Sequence, residues 1–208
     1  MKQLKTACAG FLCLASAGCS VVGIRTVEEA SHKTLARDGI FSVRQYSDAV
    51  IAETFVETGY GDSGSIGFRR LAGYIFGKNK RNEKIAMTAP VVQERTSEKI
   101  AMTAPVLQEK SARGWRMAFV LPSKLTIDTA PEPLDPNVTV RKAKGKKVAV
   151  VRYSGRLREA RIESNAAKLR EWIEANGYKA LSQPWSAGYD PPWTLPFLRR
   201  NEVQIEIE

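Results

Sequence analysis

Along residues 62–76 the apolar side chains Phe68, Leu71, Ala72 and Ile75 return at intervals of three and four. That spacing puts them on one face of a helix running from Asp62 to Phe76 and stopped by Gly77. Arg69 and Arg70 lie beside the stripe, and Asp62 or Ser63 is positioned to cap the first turn. A second stripe, Ile162, Ala166, Leu169 and Ile173, predicts a helix over Arg158–Asn176, with Arg161, Lys168 and Glu171 on other faces. Trp172 broadens its buried side, and Gly177 sits at the expected stop.

Elsewhere the composition turns to that of strands. Ile40–Tyr46 and Val50–Val56 are rich in β-branched and aromatic residues and meet at Ser47-Asp48, which predicts a strand pair. Arg116–Leu121, Val138–Arg141, Lys147–Tyr153 and Glu202–Ile207 predict further strands, with an extended segment at Tyr178–Ser182. The Pro-rich stretch Pro122–Pro136 reads as a long connection. Strand, strand, helix, strand, strand therefore occurs twice. Two such halves predict an α+β protein, a pseudo-twofold antiparallel sheet or distorted β-barrel with two helices packed on it. A cleft between the halves is then a natural ligand site.

One direct repeat interrupts this plan. EKIAMTAPVVQE at Glu83–Glu94 returns as EKIAMTAPVLQE at Glu98–Glu109, differing only at Val92 and Leu107. Two copies are too few for a solenoid, so they are expected as adjacent strands joined by a turn around Arg95-Thr96-Ser97. Pro90 and Pro105 then belong at bulges or edges, because proline has no ladder donor.

The first residues follow another logic. Lys2 and Lys5 precede the uncharged stretch Thr6–Ala17, the layout of a secretory signal. That stretch is shorter than the roughly 20 apolar residues that span a bilayer. Leu14-Ala15-Ser16-Ala17-Gly18-Cys19 resembles a bacterial lipobox, which makes Cys19 the lipid-bearing first residue of the mature chain, although Ala15-Ser16-Ala17 equally suits cleavage after Ala17. The expected organisation is a signal over 1–18, a tether over 19–38 and one domain over 39–208, exported to the envelope or periplasm and held at a membrane through Cys19. Cys8, Cys13 and Cys19 are the only cysteines, so the domain has no structural disulfide.

Composition adds limits. With 43% hydrophobic and 26% charged residues over 208 positions, the chain is an ordinary folded protein of single-domain size. The net charge is +10, and losing the signal removes two lysines and no acid, leaving +8. Lys78, Lys80, Arg81 and Lys84 form one basic cluster, and Arg141, Lys142, Lys144, Lys146 and Lys147 another. Solvated loops account for them, with attraction to anionic lipid or an anionic ligand as the functional reading; no nucleic-acid motif accompanies them. The single histidine, His32, lies in the expected tether, which excludes histidine-based triads and the common zinc sites from the domain. Glu202 and Tyr189 are the remaining acid–base pair, and a salt bridge from Glu202 to Arg199 or Arg200 is the simpler role. No catalytic apparatus is expected.

From Gly39 onward the chain resembles the SOUL haem-binding proteins. FRRLAGYIFGKN at Phe68–Asn79, the KIAMTAPV repeats, WRMAFVLPS at Trp115–Ser123, VRYSG at Val151–Gly155 and YDPPWTLPFLRRNEV at Tyr189–Val203 carry the resemblance. The doubled KIAMTAPV is similar to the family's bacterial branch. The resemblance implies a pseudo-twofold α+β barrel that binds haem or a related tetrapyrrole near the first helix. Phe68, Leu71, Ala72 and Ile75 would then meet the macrocycle and Arg69 or Arg70 its carboxylates. Read from its own residues, the loop that brings Tyr189, Trp193 and Phe197 together among Pro191, Pro192 and Pro196 either covers a pocket mouth or closes the core beneath the last strand. In some members a first-strand histidine has been proposed as the iron ligand, and Gln45 stands at that place here. His32 is read as a solvated tether residue. Met87 and Met102 are read as core fillers, and Tyr46, Tyr74 and Tyr189 as packing anchors. The expected protein is thus a monomer that holds haem without strong axial ligation, with an envelope interaction protein lacking a small ligand as the main rival and a small-molecule hydrolase on an effector-binding-like fold as the lesser one. Pocket volume and lining discriminate among them.

Overall fold

A computed structural model of the chain describes residues 27–96 and 114–208. These form nine strands, β1 (His32–Asp38), β2 (Phe41–Tyr46), β3 (Ala49–Val56), β4 (Val91–Thr96), β5 (Gly114–Val120), β6 (Val138–Ala143), β7 (Lys147–Tyr153), β8 (Trp185–Gly188) and β9 (Asn201–Glu206). Two long helices, α1 (Tyr60–Ile75) and α2 (Glu159–Ala175), complete the layers. The strands make one curled antiparallel sheet in the order β1-β2-β7-β9-β8-β4-β5-β3-β6. A pseudo-twofold axis runs between β8 and β4, because exchanging β2–β5 for β6–β9 reproduces the order, with β1 added at one edge.

The expected α+β architecture is present, and the pairing inside it is a strand exchange. β2 and β3 do not pair with each other as the sequence suggested. β2 joins β7, with Phe41 opposite Val151, while β3 joins β5 and β6. The reason lies in the two cores: Val43 of β2 packs under α2, whereas Ala52 of β3 packs under α1. The tether is also corrected. Residues 32–38 form β1, an edge strand paired to β2 with a bulge between Thr34 and Ala36. Its side chains are mostly exposed, so hydrophobic periodicity has nothing to register. The first repeat copy supplies β4, whose partners are β5 and β8. The second copy, with Met102 and Pro105, lies outside the described residues, as do the signal and Cys19. The segment expected at Tyr178–Ser182 contributes only an isolated bridge from Ala180 to Ile207.

Leu71, Tyr74 and Ile75 of α1 pack against Ala52, Met117, Phe119 and Val138, and Ile85 and partly buried Met87 close that core. Under α2, Ala166, Leu169 and Ile173 meet Val43, Ala149, Val151, Val203 and Ile205. Each fully buried Leu or Ile side chain stabilises the fold by about 1.5–3 kcal/mol. Gly67 lets α1 lie close to β5, since a Cβ there would sit 3.2 Å from both Cβ and Sδ of Met117. Ser63 does not cap α1, which begins after Gly59. Its hydroxyl donates to the Tyr60 carbonyl at 2.8 Å and accepts from Gln93 Nε2 at 3.0 Å, tying the first turn to β4.

The face away from the helices is concave and is crossed by residues 28–30. Ala30 N–H donates to the Ala89 carbonyl and Ala89 N–H to the Glu28 carbonyl, both at 2.9 Å.

Candidate functional site

At the centre of the concave face Glu202 is fully buried and accepts five hydrogen bonds. Arg44 grips it through two nitrogens at 2.9 and 3.0 Å, Tyr189 Oη donates at 2.7 Å, Arg200 Nε at 3.0 Å and Gln204 Nε2 at 2.9 Å. The Arg200 guanidinium also covers the Tyr189 ring, 3.8 Å from its centroid, and donates to both Glu29 oxygens at 3.0 Å. Burial pushes the Glu202 carboxyl up, yet the Arg44 bonds and charge, the Arg200 charge and the Tyr189 bond together hold it below its ordinary value. Burial, then the neighbouring Glu202 charge, raises Tyr189 well above the usual phenol range. Such a saturated carboxylate has no lone pair to spare as a base. The salt bridge anticipated for Glu202 exists with Arg200, and Arg44, which the sequence did not single out, is its second partner.

Two hollows flank this cluster. The smaller, about 310 Å³, is lined by Ile51, Val92, Ala118, Val120, Tyr46 and Trp185 and by a charge ladder across four strands. In that ladder Arg141 donates to Glu53 at 2.7 and 2.9 Å, and Arg116 bridges Glu53 and Glu94. The larger, about 830 Å³, lies at the β1–β2–β7 end, where Ile40, Phe41, Phe197 and Leu198 give apolar walls and Arg37, Arg152 and Arg199 bring positive charge. His32 lines this cleft too. It is half-buried, its ring 5.0 Å from that of Tyr46 and its Nδ1 3.1 Å from the Ala30 carbonyl. A carbonyl only accepts, so Nδ1 is the nitrogen that donates there, which leaves Nε2 as the one not used in that bond.

The residues expected from the sequence are divided among different surroundings. Leu71 and Ile75 face the sheet with almost no exposed surface, which leaves nothing to offer a macrocycle. Arg70 donates to Thr54 Oγ1 at 3.4 Å and the Phe55 carbonyl at 2.9 Å, bracing α1 on β3. Phe68, Arg69 and Ala72 reach the outer surface, where Phe76, 62% exposed, continues the row at four-residue spacing. Phe68 also sets its edge against Phe119. Tyr189 is buried in the central cluster, whereas Trp193 is 63% exposed on the loop before β9. Tyr74, buried with its hydroxyl on the Pro131 carbonyl at 2.8 Å, is an anchor as read, and burial raises its pKa to about 12.

The profile of the SOUL heme-binding protein family matches residues 27–98 and 92–206. The chain belongs to the SOUL haem-binding protein family. Two curated relatives agree: Heme-binding protein 1 of Xenopus laevis, 27% identical, and Heme-binding protein 2 of Homo sapiens, 29% identical. Each alignment covers 80% of this chain, with 84% and 78% of the respective relative. Among solved structures, the EcmrR C-terminal domain superposes with a TM-score of 0.59 at 11% identity, over 81% of this chain and 96% of the other. A hydrolase from Listeria innocua gives 0.53 at 10% identity, over 84% and 94%. At such identities these structures speak for the fold alone.

For this SOUL protein the family's ligand sets a concrete test of fit. Haem is a flat apolar ring with two carboxylates on one edge and an iron at its centre. The larger cleft falls within the roughly 300–1,000 Å³ typical of ligand pockets, and the smaller sits at the bottom of that range. Arg37 and Arg152 are exposed and share the concave side, since Arg37 stands opposite Ser42 and Ser42 opposite Val150, two residues from Arg152. Apolar side chains at its rim, two guanidinium groups and an imidazole are a set of groups that suits the macrocycle.

Proposed function

We propose that this protein binds haem or a related tetrapyrrole in the cleft between β1, β2, β7 and the loop before β9, and does so without catalysing a reaction. The observation that carries this reading is the volume of the cleft joined to its placement of Arg37, Arg152 and His32 around Ile40, Phe197 and Leu198; the other hollow is the more apolar of the two and also holds arginines and lysines, but is less than half the size. The ring lies against Ile40, Phe197 and Leu198, and Arg37 and Arg152 pair with the propionates. His32 Nε2 is the nitrogen offered to iron, its ring oriented by the Nδ1–H bond to Ala30, as second-shell carbonyls commonly orient metal-bound imidazoles. Bound haem supplies an iron centre and an intense absorbance band.

The test is a haemin titration followed by the Soret band and tryptophan quenching. Saturable one-to-one binding is expected, weakened about tenfold or more by Arg37→Ala with Arg152→Ala. His32→Ala is expected to move the Soret band while the protein stays folded. Non-saturating binding overturns the haem reading. A second surface, the outer row Phe68, Ala72 and Phe76 beside Arg69, is favoured by its exposure. It becomes the site if Arg69→Ala with Phe76→Ala weakens binding and the cleft variants do not. The signal-like N-terminus supports an envelope location with a lipid on Cys19, checked by palmitate incorporation that Cys19→Ser abolishes.

A further inference from the structure

The loop between β8 and β9 exposes apolar side chains while most of the carbonyls in residues 191–196 are paired within the protein. Phe197, 70% exposed, and Trp193 are the two most exposed large hydrophobic side chains among the described residues, and exposed Leu195 lies between them. Pro191, Pro192 and Pro196 have no N–H to satisfy. The Pro191 carbonyl accepts from Thr194 N–H at 3.1 Å, Leu195 from Leu198 at 2.9 Å, and Pro196 from Gly155 at 2.8 Å. Arg199 folds back onto two more, donating Nε to the Thr194 carbonyl at 2.7 Å and Nη2 to that of Pro192. Buried Thr194 pins the loop from beneath.

We infer that residues 191–198 dock the protein on an anionic lipid bilayer. Backbone polar groups that enter hydrocarbon unpaired are costly, and here the carbonyls of Pro191, Pro192, Thr194, Leu195 and Pro196 already have partners. Tryptophan and phenylalanine on a proline-stiffened loop suit the headgroup boundary, and little order remains to be imposed on binding. The surrounding charge is complementary. Arg156 and Arg158 are exposed on the neighbouring loop, whose Gly155 bonds Pro196, and Arg37 and Arg152 line the cleft with Phe197. Phe197, Arg37 and Arg152 also belong to the proposed haem cleft, but Trp193 and Leu195 do not line it, so variants at those two separate the inference from the haem reading. Docking brings the cleft mouth to the phase where an apolar tetrapyrrole concentrates.

The experiment uses the chain with Cys19→Ser, so that no lipid attachment contributes, and flotation with vesicles of phosphatidylcholine alone or mixed with phosphatidylglycerol. Binding to the anionic vesicles is expected, weakened by salt and reduced about tenfold or more by Trp193→Glu with Leu195→Glu. The double variant keeps the parental circular dichroism spectrum and haemin titration. Undiminished binding by that variant, or equal binding to neutral and anionic vesicles, overturns the inference. Absence of binding by the parent overturns it as well and leaves the patch to a protein partner.

Discussion

A carboxylate shut away from solvent must be neutralised by protein groups, and Glu202 has two arginines, a phenol and an amide for that purpose. Removing one partner leaves a buried charge under-compensated. Arg44→Met is therefore expected to destabilise the protein by about 3–5 kcal/mol in urea unfolding. The pH dependence follows from the depressed Glu202 pKa. Its contribution is full above the unfolded value near 4.5 and is lost as pH falls through the lower folded value. Glu202→Gln should lower stability at neutral pH and flatten the loss on acidification below pH 4.5; an acid transition as steep as the parent's would refute the assignment. Glu202, Tyr189 and Arg200 lie close in sequence and suggested themselves as a group. Arg44 is 158 residues from Glu202 and became a partner only because β2 crosses to the second half. His32 was hidden for a related reason, since a strand held by backbone pairing alone reads as a polar tether.

Among the elements, α1 was the most legible in extent and the least in orientation. Its apolar positions are wide enough to make two rows: Leu71 and Ile75 with Tyr74, which the sheet covers, and Phe68, Ala72 and Phe76, which face outward. Periodicity detects the helix, but the choice between rows is made by β3 and β5, which the helix's own sequence does not contain. The two rows predict opposite costs. Leu71→Ala should cost about 2–5 kcal/mol through lost contact and a residual cavity, and Phe76→Ala should change stability by less than about 0.5 kcal/mol. Denaturant midpoints of the two variants check the orientation, and equal midpoints would contradict it. β8 escaped for a different reason. Four residues, Trp-Ser-Ala-Gly, offer little β-propensity, and the strand exists because β4 and β9 stand on either side of it.

At the scale of the whole molecule, the doubled strand–helix pattern announced two halves, but nothing local announced that each gives its first strand to the other. The exchange decides whether a half can stand alone. Without the second half, β2 loses β7 and β3 loses β6, so two strands bare the backbone that pairing had covered. The cleft is divided in the same way, with β1 and β2 from the first half and β7 and Phe197–Arg200 from the second. Residues 27–137 and 138–208 produced separately should each lack a cooperative unfolding transition and fail to bind haemin. Mixed from denaturant, they should recover the parent's circular dichroism and a saturable Soret change together, because the pairing that rebuilds the sheet also closes the cleft. A first-half fragment that unfolds cooperatively alone would mean that the exchange is dispensable. One that also binds haemin would move the ligand to the outer face of α1, the surface that lies wholly within that half.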